Sequence, residues 1–325
     1  VSPGRGARQR PLLRDSREPF GNISADATFR RLCASAALAI LGLLGLLVFV
    51  IVRGSRLALS AFGPHFLVER VWDPVASHFG AATFIYGTIV SSAIALVVAV
   101  PLGIGIAVFL VELAPARARG PIGFLVELLA AIPSIVYGLW GLFVLAPIVR
   151  DRIAPVLGTT LGFLPLFRGR SHGVGMLTAG LILAVMILPY IAAVSRDVLA
   201  AVPREQREAS LALGATQWET IWRIVLPYGR AGIAGAVILA LGRALGETMA
   251  VTMVIGNNPQ IAASLFEPGY TMSAVIANEY AEASSPLYLS ALTEVGLLIF
   301  VVTFAVNAAA RALIWRMSRA GGAPR

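Results

Sequence analysis

Six apolar runs govern what this chain can fold into. They lie near 33–52, 83–111, 122–147, 174–195, 231–256 and 290–311. Each approaches or exceeds the ~20 residues that a helix needs to cross the hydrocarbon core. The second is long enough to tilt or to extend past it. In hydrocarbon a backbone must satisfy its own polar groups, so open runs of this kind are helices. Apolar residues make up 58% of the chain and charged residues 13%, where soluble domains carry about 25% charged residues. The expected fold is therefore all-α and polytopic, with six transmembrane helices. The polar segment ahead of the first run argues against a cleaved signal, so the first span is expected to act as its own uncleaved insertion signal.

What is missing excludes several chemistries. There is no lysine, and hence no P-loop lysine for nucleotide phosphates and no Schiff-base lysine. One cysteine, Cys33, allows neither an intrachain disulfide nor a thiolate metal cluster. It reads as a small apolar residue at the start of the first span. His65, His78 and His172 lack metal-ligand spacing. No metal site is expected, and no basic run interleaved with aromatics suggests nucleic acid.

Arginine sets the orientation. The segments 1–31, 112–121, 196–230 and 311–325 hold 18 arginines, and the opposite connections hold 7. This places both termini in the cytoplasm, with lipid around the spans. The connection 148–173 fits poorly, since four of the seven lie there. Residues 1–31 read as an arginine-rich, partly disordered segment and 312–325 as a cytoplasmic tail. Residues 33–52 read as a peripheral first span, and 83–311 as the transmembrane core. Pro101, Pro133, Pro147 and Pro189 punctuate the runs, and Gly42, Gly45, Gly103 and Gly105 permit close helix approach. The external segment 257–289 reads equally as a short helix or a re-entrant loop.

The cytoplasmic segment 203–227 carries a pattern. Pro203 suits the first turn of a helix, and Gly214 can end it in a left-handed conformation. Thr216 and Glu219 make a T-x-x-E capping box for a second helix. Trp218, Ile221, Trp222 and Val225 share one face of that helix, which Pro227 is expected to end or kink. Taken alone this reads equally as an interfacial helix lying in the headgroups or as a unit with a partner. Glu208, Ala209 and Ser210, then Gly214 three residues on, then Ile224, Leu226 and Pro227, resemble the EAA signature of bacterial ABC importer permeases. Ser210 replaces that pattern's alanine. The resemblance implies a coupling loop seated on a separate ATPase, with Glu208, Ala209, Ser210 and Gly214 as the docking residues. It also implies that this chain is not itself an enzyme.

Arg243 and Glu247 stand four residues apart in the fifth run, on one face if the helix continues. An unpaired arginine at mid-bilayer costs roughly 2.5–3.5 kcal/mol, and pairing would offset it. The pair is either a structural ion pair or an anion-handling site, because the guanidinium fork suits oxyanions. RALGETMAV, AAIPSIVYGLWGLFVLAP and the EAA segment together resemble the C-type permease subunits of bacterial phosphate ABC importers, the Pst system. Those belong to the binding-protein-dependent transport inner-membrane family, whose fold is MetI-like. The resemblance implies phosphate import across the bacterial plasma membrane by alternating access, with Arg243 and Glu247 on the pathway. It implies a second permease subunit, an ATPase dimer and an external phosphate-binding protein as partners. No cofactor is expected on this chain, since ATP and magnesium would sit on the ATPase.

Thr88, Ser91, Ser92, Ser134 and Tyr137 are weaker cavity-lining candidates. Interhelical hydrogen bonding explains them as well. A permease for molybdate or sulfate would keep everything but the substrate. A secondary anion transporter or channel would leave the EAA pattern without a purpose. An intramembrane enzyme is disfavoured because the six runs as drawn contain no aspartate and no histidine.

Overall fold

The structure, a computed structural model, describes residues 23–320. It has two compact units, 1–50 and 51–325. In its described part the first is most of helix α1 (Ile23–Gly54), whose apolar window is 0% buried. The arginine-rich segment was expected to run to residue 31. Residues 23–31 are instead the first turns of α1, and 1–22 lie outside the described residues.

The second unit continues with α2 (Arg56–Phe62), α3 (Ala82–Leu113), α4 (Ala116–Ala130), α5 (Ser134–Leu161) and α6 (Met176–Ala200). Then come α7 (Arg204–Ala212), α8 (Gln217–Leu245), α9 (Met249–Val254), α10 (Met272–Glu279) and α11 (Pro286–Ala320). Among the described residues there is no strand, only the isolated bridges Asp73–His78 and Gly256–Gly269. Among the described residues six helices are long and apolar enough to cross a membrane. The expected tail is helical to Ala320.

Two spans differ from the sequence reading. The third, expected at 122–147, is interrupted after Ala130, and the crossing-length helix is α5. Pro133 and its extended backbone enforce the break. The fifth, expected at 231–256, starts earlier at Gln217 and stops at Leu245. Extending α5 to Leu161 also shortens the awkward arginine-rich connection. Arg150 now rides on α5 with Asp151 at 2.7 Å. It follows that α5 contains Asp151 and α6 contains Asp197, where no aspartate was expected. Asp197 is exposed and paired with Arg196 at 3.0 Å.

Pro227 does not end its helix, because α8 runs through it. The widened π-type turn Ile221–Val225 lies just before it. Similar turns at Phe109–Leu113, Gly141–Leu145 and Val149–Ile153 precede Pro115, Pro147 and Pro155. A proline lacks its N–H and presses on the carbonyl four residues back. At Pro147, Pro155 and Pro227 that carbonyl belongs to the middle residue of the widened turn, where the ladder has room for it, whereas α3 ends before Pro115.

Helix α6 is the centre of the unit, with 67% of its apolar window buried. Ile182, Leu183, Ile187 and Ile191 are fully covered. An aromatic cluster closes the outer side. Phe79 stacks on Tyr288 at 5.3 Å, and Trp72 meets Phe79 and Phe84 edge-on at 4.9 Å. At its polar edge Glu279 accepts hydrogen bonds from Trp72 Nε1 (2.8 Å), Tyr270 (3.1 Å) and Tyr288 (2.5 Å). Burial, reinforced by this carboxylate, pushes the Tyr270 hydroxyl up, so it stays a donor. Segment 257–289 thus contains a short helix, α10, whose first turn is buried. Thr271 caps it by accepting from Ala274 N.

Glu279→Ala strands three donors and should destabilise the detergent-solubilised protein by about 2–5 kcal/mol. Glu279→Gln keeps an acceptor and should lose less. Thermal unfolding followed by Trp72 fluorescence checks both.

Candidate functional site

The two interrupted helices meet. The segments after the breaks, the start of α5 and α9, pack together through Gly138. A Cβ there would lie 2.7 Å from Met253 Sδ and 3.0 Å from Ala250 Cα. The break after α4 takes away regular helical partners: Pro133 has no N–H for Leu129 O, which keeps only a 3.3 Å backbone bond from Ile132 N. Tyr137 donates to Leu129 O at 2.7 Å and Tyr190 to Ala130 O at 3.1 Å. Two tyrosines from different helices therefore cap the end of α4.

Arg243 lies in the last turn of α8, where the helix dipole favours a cation. It does not pair with Glu247. Gly246 ends the helix between them, so the four-residue spacing no longer puts them on one face. The Arg243 guanidinium instead sits 4.7 Å above the Tyr190 ring, a cation–π contact. Tyr190 stands about midway along α6, so Arg243 is held at depth while its side chain remains exposed. Glu247 is 9% exposed and turned the other way. It accepts from Ala250 N at 3.2 Å at the start of α9, and its carbonyl accepts from Ser273 at 2.7 Å.

The weaker candidates separate. Thr88 is a packing group: it donates to Phe84 O and accepts from Met272 N at 3.0 Å. Ser91 and Ser92 are buried, with Ser91 bonded back to Gly87 O at 2.7 Å. Ser134 opens α5 beside the break. Tyr137 is 6% exposed and serves α4. Cys33 is exposed on α1.

The cytoplasmic segment forms as read up to its second helix. Pro203 precedes α7, and Gly214 ends it with φ +89. Thr216 and Glu219 close the capping box at 3.2 and 2.9 Å. The expected apolar face forms, with its residues covered to different degrees. Ile221 and Val225 are buried, while Trp218 and Trp222 are each 57% exposed. Trp218, Ile221 and Trp222 line one apolar groove with Ile104, Val108 and Leu113 of α3. The two tryptophans meet edge-on at 5.9 Å, at a depth where tryptophan is favoured. Glu208, Ala209 and Gly214 are exposed. Ser210 shares a hydrogen bond with Thr220 at 2.9 Å. Ala209, Ser210 and Gly214 line a surface groove of about 580 Å³ with Glu219 and Arg223.

Two groups here escaped the sequence reading. Tyr190 gives no local signal, because its partners lie 60 and 53 positions away in the chain. Glu294 did give one, being a charge inside the sixth run. It is 3% exposed, and its Oε2 has no hydrogen-bond partner among the described residues.

A chain of six crossing-length helices, two of them interrupted beside an exposed arginine, with an EAA-type loop between the fourth and fifth, has the layout of an importer permease. The profile of the family described as "Binding-protein-dependent transport system inner membrane component" matches residues 99–319. The chain belongs to this family and is a multi-pass bacterial inner-membrane protein. Among similar proteins, the phosphate transport system permease protein PstC of Mesorhizobium japonicum is 49% identical over 96% of this chain and 98% of its own length. The Haemophilus influenzae protein of the same name is 46% identical over 96% of this chain and 100% of its own. A chain of a bacterial alginate ABC transporter, crystallised with an alginate-bound periplasmic protein, superimposes with a TM-score of 0.61 at 16% identity. The match covers 91% of this chain and 98% of that one. The MetI-like ABC permease fold expected from sequence is the fold found.

Tyr190→Leu removes both the surface under Arg243 and the donor to Ala130. It should lower the transport rate at least ten-fold while leaving expression unchanged. Tyr190→Phe keeps the ring and should retain most of the rate. Initial uptake rates for the two variants check this.

Proposed function

We propose that this chain is a permease subunit of an ATP-driven importer that moves inorganic phosphate into the bacterial cytoplasm by alternating access. The observation that carries the reading is near-full-length identity of 46–49% to phosphate permeases. The exposed segment 208–214 supports coupling: Ala209, Ser210 and Gly214 offer a groove of small residues, and Glu208 is an exposed carboxylate on the same helix. On this reading the partners are an ATPase dimer, an external phosphate-binding protein and a second, related permease that completes the pathway. ATP and magnesium belong to the ATPase, and this chain contributes no cofactor and no catalysis of its own.

Arg243 is the pathway residue. Its forked donors face open space and suit a phosphate oxyanion. Tyr190 supports the guanidinium from one side through its π face without neutralising it. Phosphate therefore meets a cation held in place but not quenched by a carboxylate. Binding strong enough to admit the anion must still be weak enough to release it. Glu247 contributes by shaping the break, where it caps α9, rather than by holding Arg243 between transport events.

Arg243→Ala should abolish radiolabelled phosphate uptake in cells lacking their own phosphate permeases, with the ATPase still co-purifying. Uptake at the wild-type rate would remove Arg243 from the pathway. Glu208→Arg should leave basal ATP hydrolysis in place and abolish its stimulation by phosphate-loaded binding protein. Undiminished stimulation would count against docking at α7.

A further inference from the structure

Arg207 precedes Glu208 on α7 and from sequence counts only as a flanking positive charge. The structure gives it a more specific place. Its side chain is 17% exposed although α7 buries none of its residues. Nε and Nη2 both reach Oε1 of Glu112, at 3.0 and 2.9 Å. Nη1 donates to Val202 O at 2.5 Å and Nη2 to Leu199 O at 2.8 Å. Glu112 is 11% exposed and lies on the widened turn that ends α3. Its carbonyl accepts from Gln217 Nε2 at 2.9 Å, the first residue of α8.

One guanidinium therefore joins four elements: α7, the end of α3, the carbonyl end of α6 and, through Glu112, the start of α8. The carbonyls of Leu199 and Val202 lie at the negative end of the α6 dipole, where a cation is favoured. A mostly buried pair of this kind is strongly disrupted when one partner is removed.

We propose that Arg207 is a positioning residue. With Glu112 it locks α7 to the second, fourth and fifth spans, so that a push on the loop moves all three together. The inference rests on the reading that α7 docks on an ATPase. Glu208 then faces the ATPase, and its neighbour Arg207 carries the force inward. Among the described residues the remaining side-chain hydrogen bond from α7 to the spans is Ser210–Thr220, beside the packing of α7 on the start of α8.

The test uses the complete importer in proteoliposomes, with Arg207→Gln, Glu112→Gln and the double variant. Each should keep its ATPase subunit and hydrolyse ATP within two-fold of wild type. Phosphate accumulated per ATP should fall at least ten-fold in each single variant. The double variant should be no worse than either single, as expected for residues acting as one unit. Unchanged phosphate per ATP, or losses that multiply in the double variant, would overturn the lock. So would loss of the ATPase subunit, which would make Arg207 a docking residue. Hydrogen exchange on the isolated full chain with Arg207→Lys gives a readout independent of assembly. Amides of α7 should exchange at least ten-fold faster, and unchanged protection would overturn the proposal. If the wild-type complex shows no coupling of ATP hydrolysis to phosphate, the importer reading fails instead.

Discussion

In hydrocarbon every backbone N–H and C=O must find a partner within the protein, and the architecture of this chain follows from how it meets that demand. Prolines are the main challenge to it. Where a helix continues past Pro147, Pro155 or Pro227, a widened turn absorbs the missing donor. Where it does not continue, as before Pro133, the freed carbonyls of α4 receive tyrosine hydroxyls. The second solution has a functional consequence. Tyr190, recruited to satisfy Ala130, presents its ring to Arg243. The repair of a broken helix and the seating of the candidate pathway residue are one structural event.

Interrupted helices at depth are a recurrent way to place backbone and charge along a transport path. Here the breaks after α4 and α8 come together through Gly138 and Met253. Arg243 ends one of the broken helices and Ser134 opens the other. Glu247, which the bare sequence pairs with Arg243, helps instead to make the break that separates them. The same economy appears at the cytoplasmic side. Glu112 uses its side chain for Arg207 and its carbonyl for Gln217, so the cytoplasmic segment and the spans share one anchoring residue.

Much of this was legible in the residues, and the parts that were not share a cause. Apolar runs mark six crossings because hydrocarbon demands length and composition. The capping box of Thr216 and Glu219 and the left-handed Gly214 are local chemistry, and both formed as read. Hydropathy does not register a break inside an apolar run, so the third and fifth spans were drawn across Pro133 and Gly246. The face of Trp218, Ile221 and Trp222 meets α3 in one groove, but its spacing does not tell which of its residues the core covers. Tyr190 under Arg243 and Glu112 beside Arg207 are contacts between distant segments, which no local spacing encodes.

On the proposed function, six spans and the exposed cytoplasmic loop make this chain part of an ATP-driven phosphate importer. The most direct test of that reading is phosphate accumulation by the reconstituted complex, with ATP and an imposed proton gradient supplied separately. Accumulation against a gradient is expected only when ATP and loaded binding protein are both present. Accumulation driven by the proton gradient without ATP would contradict that reading and make the chain a secondary transporter.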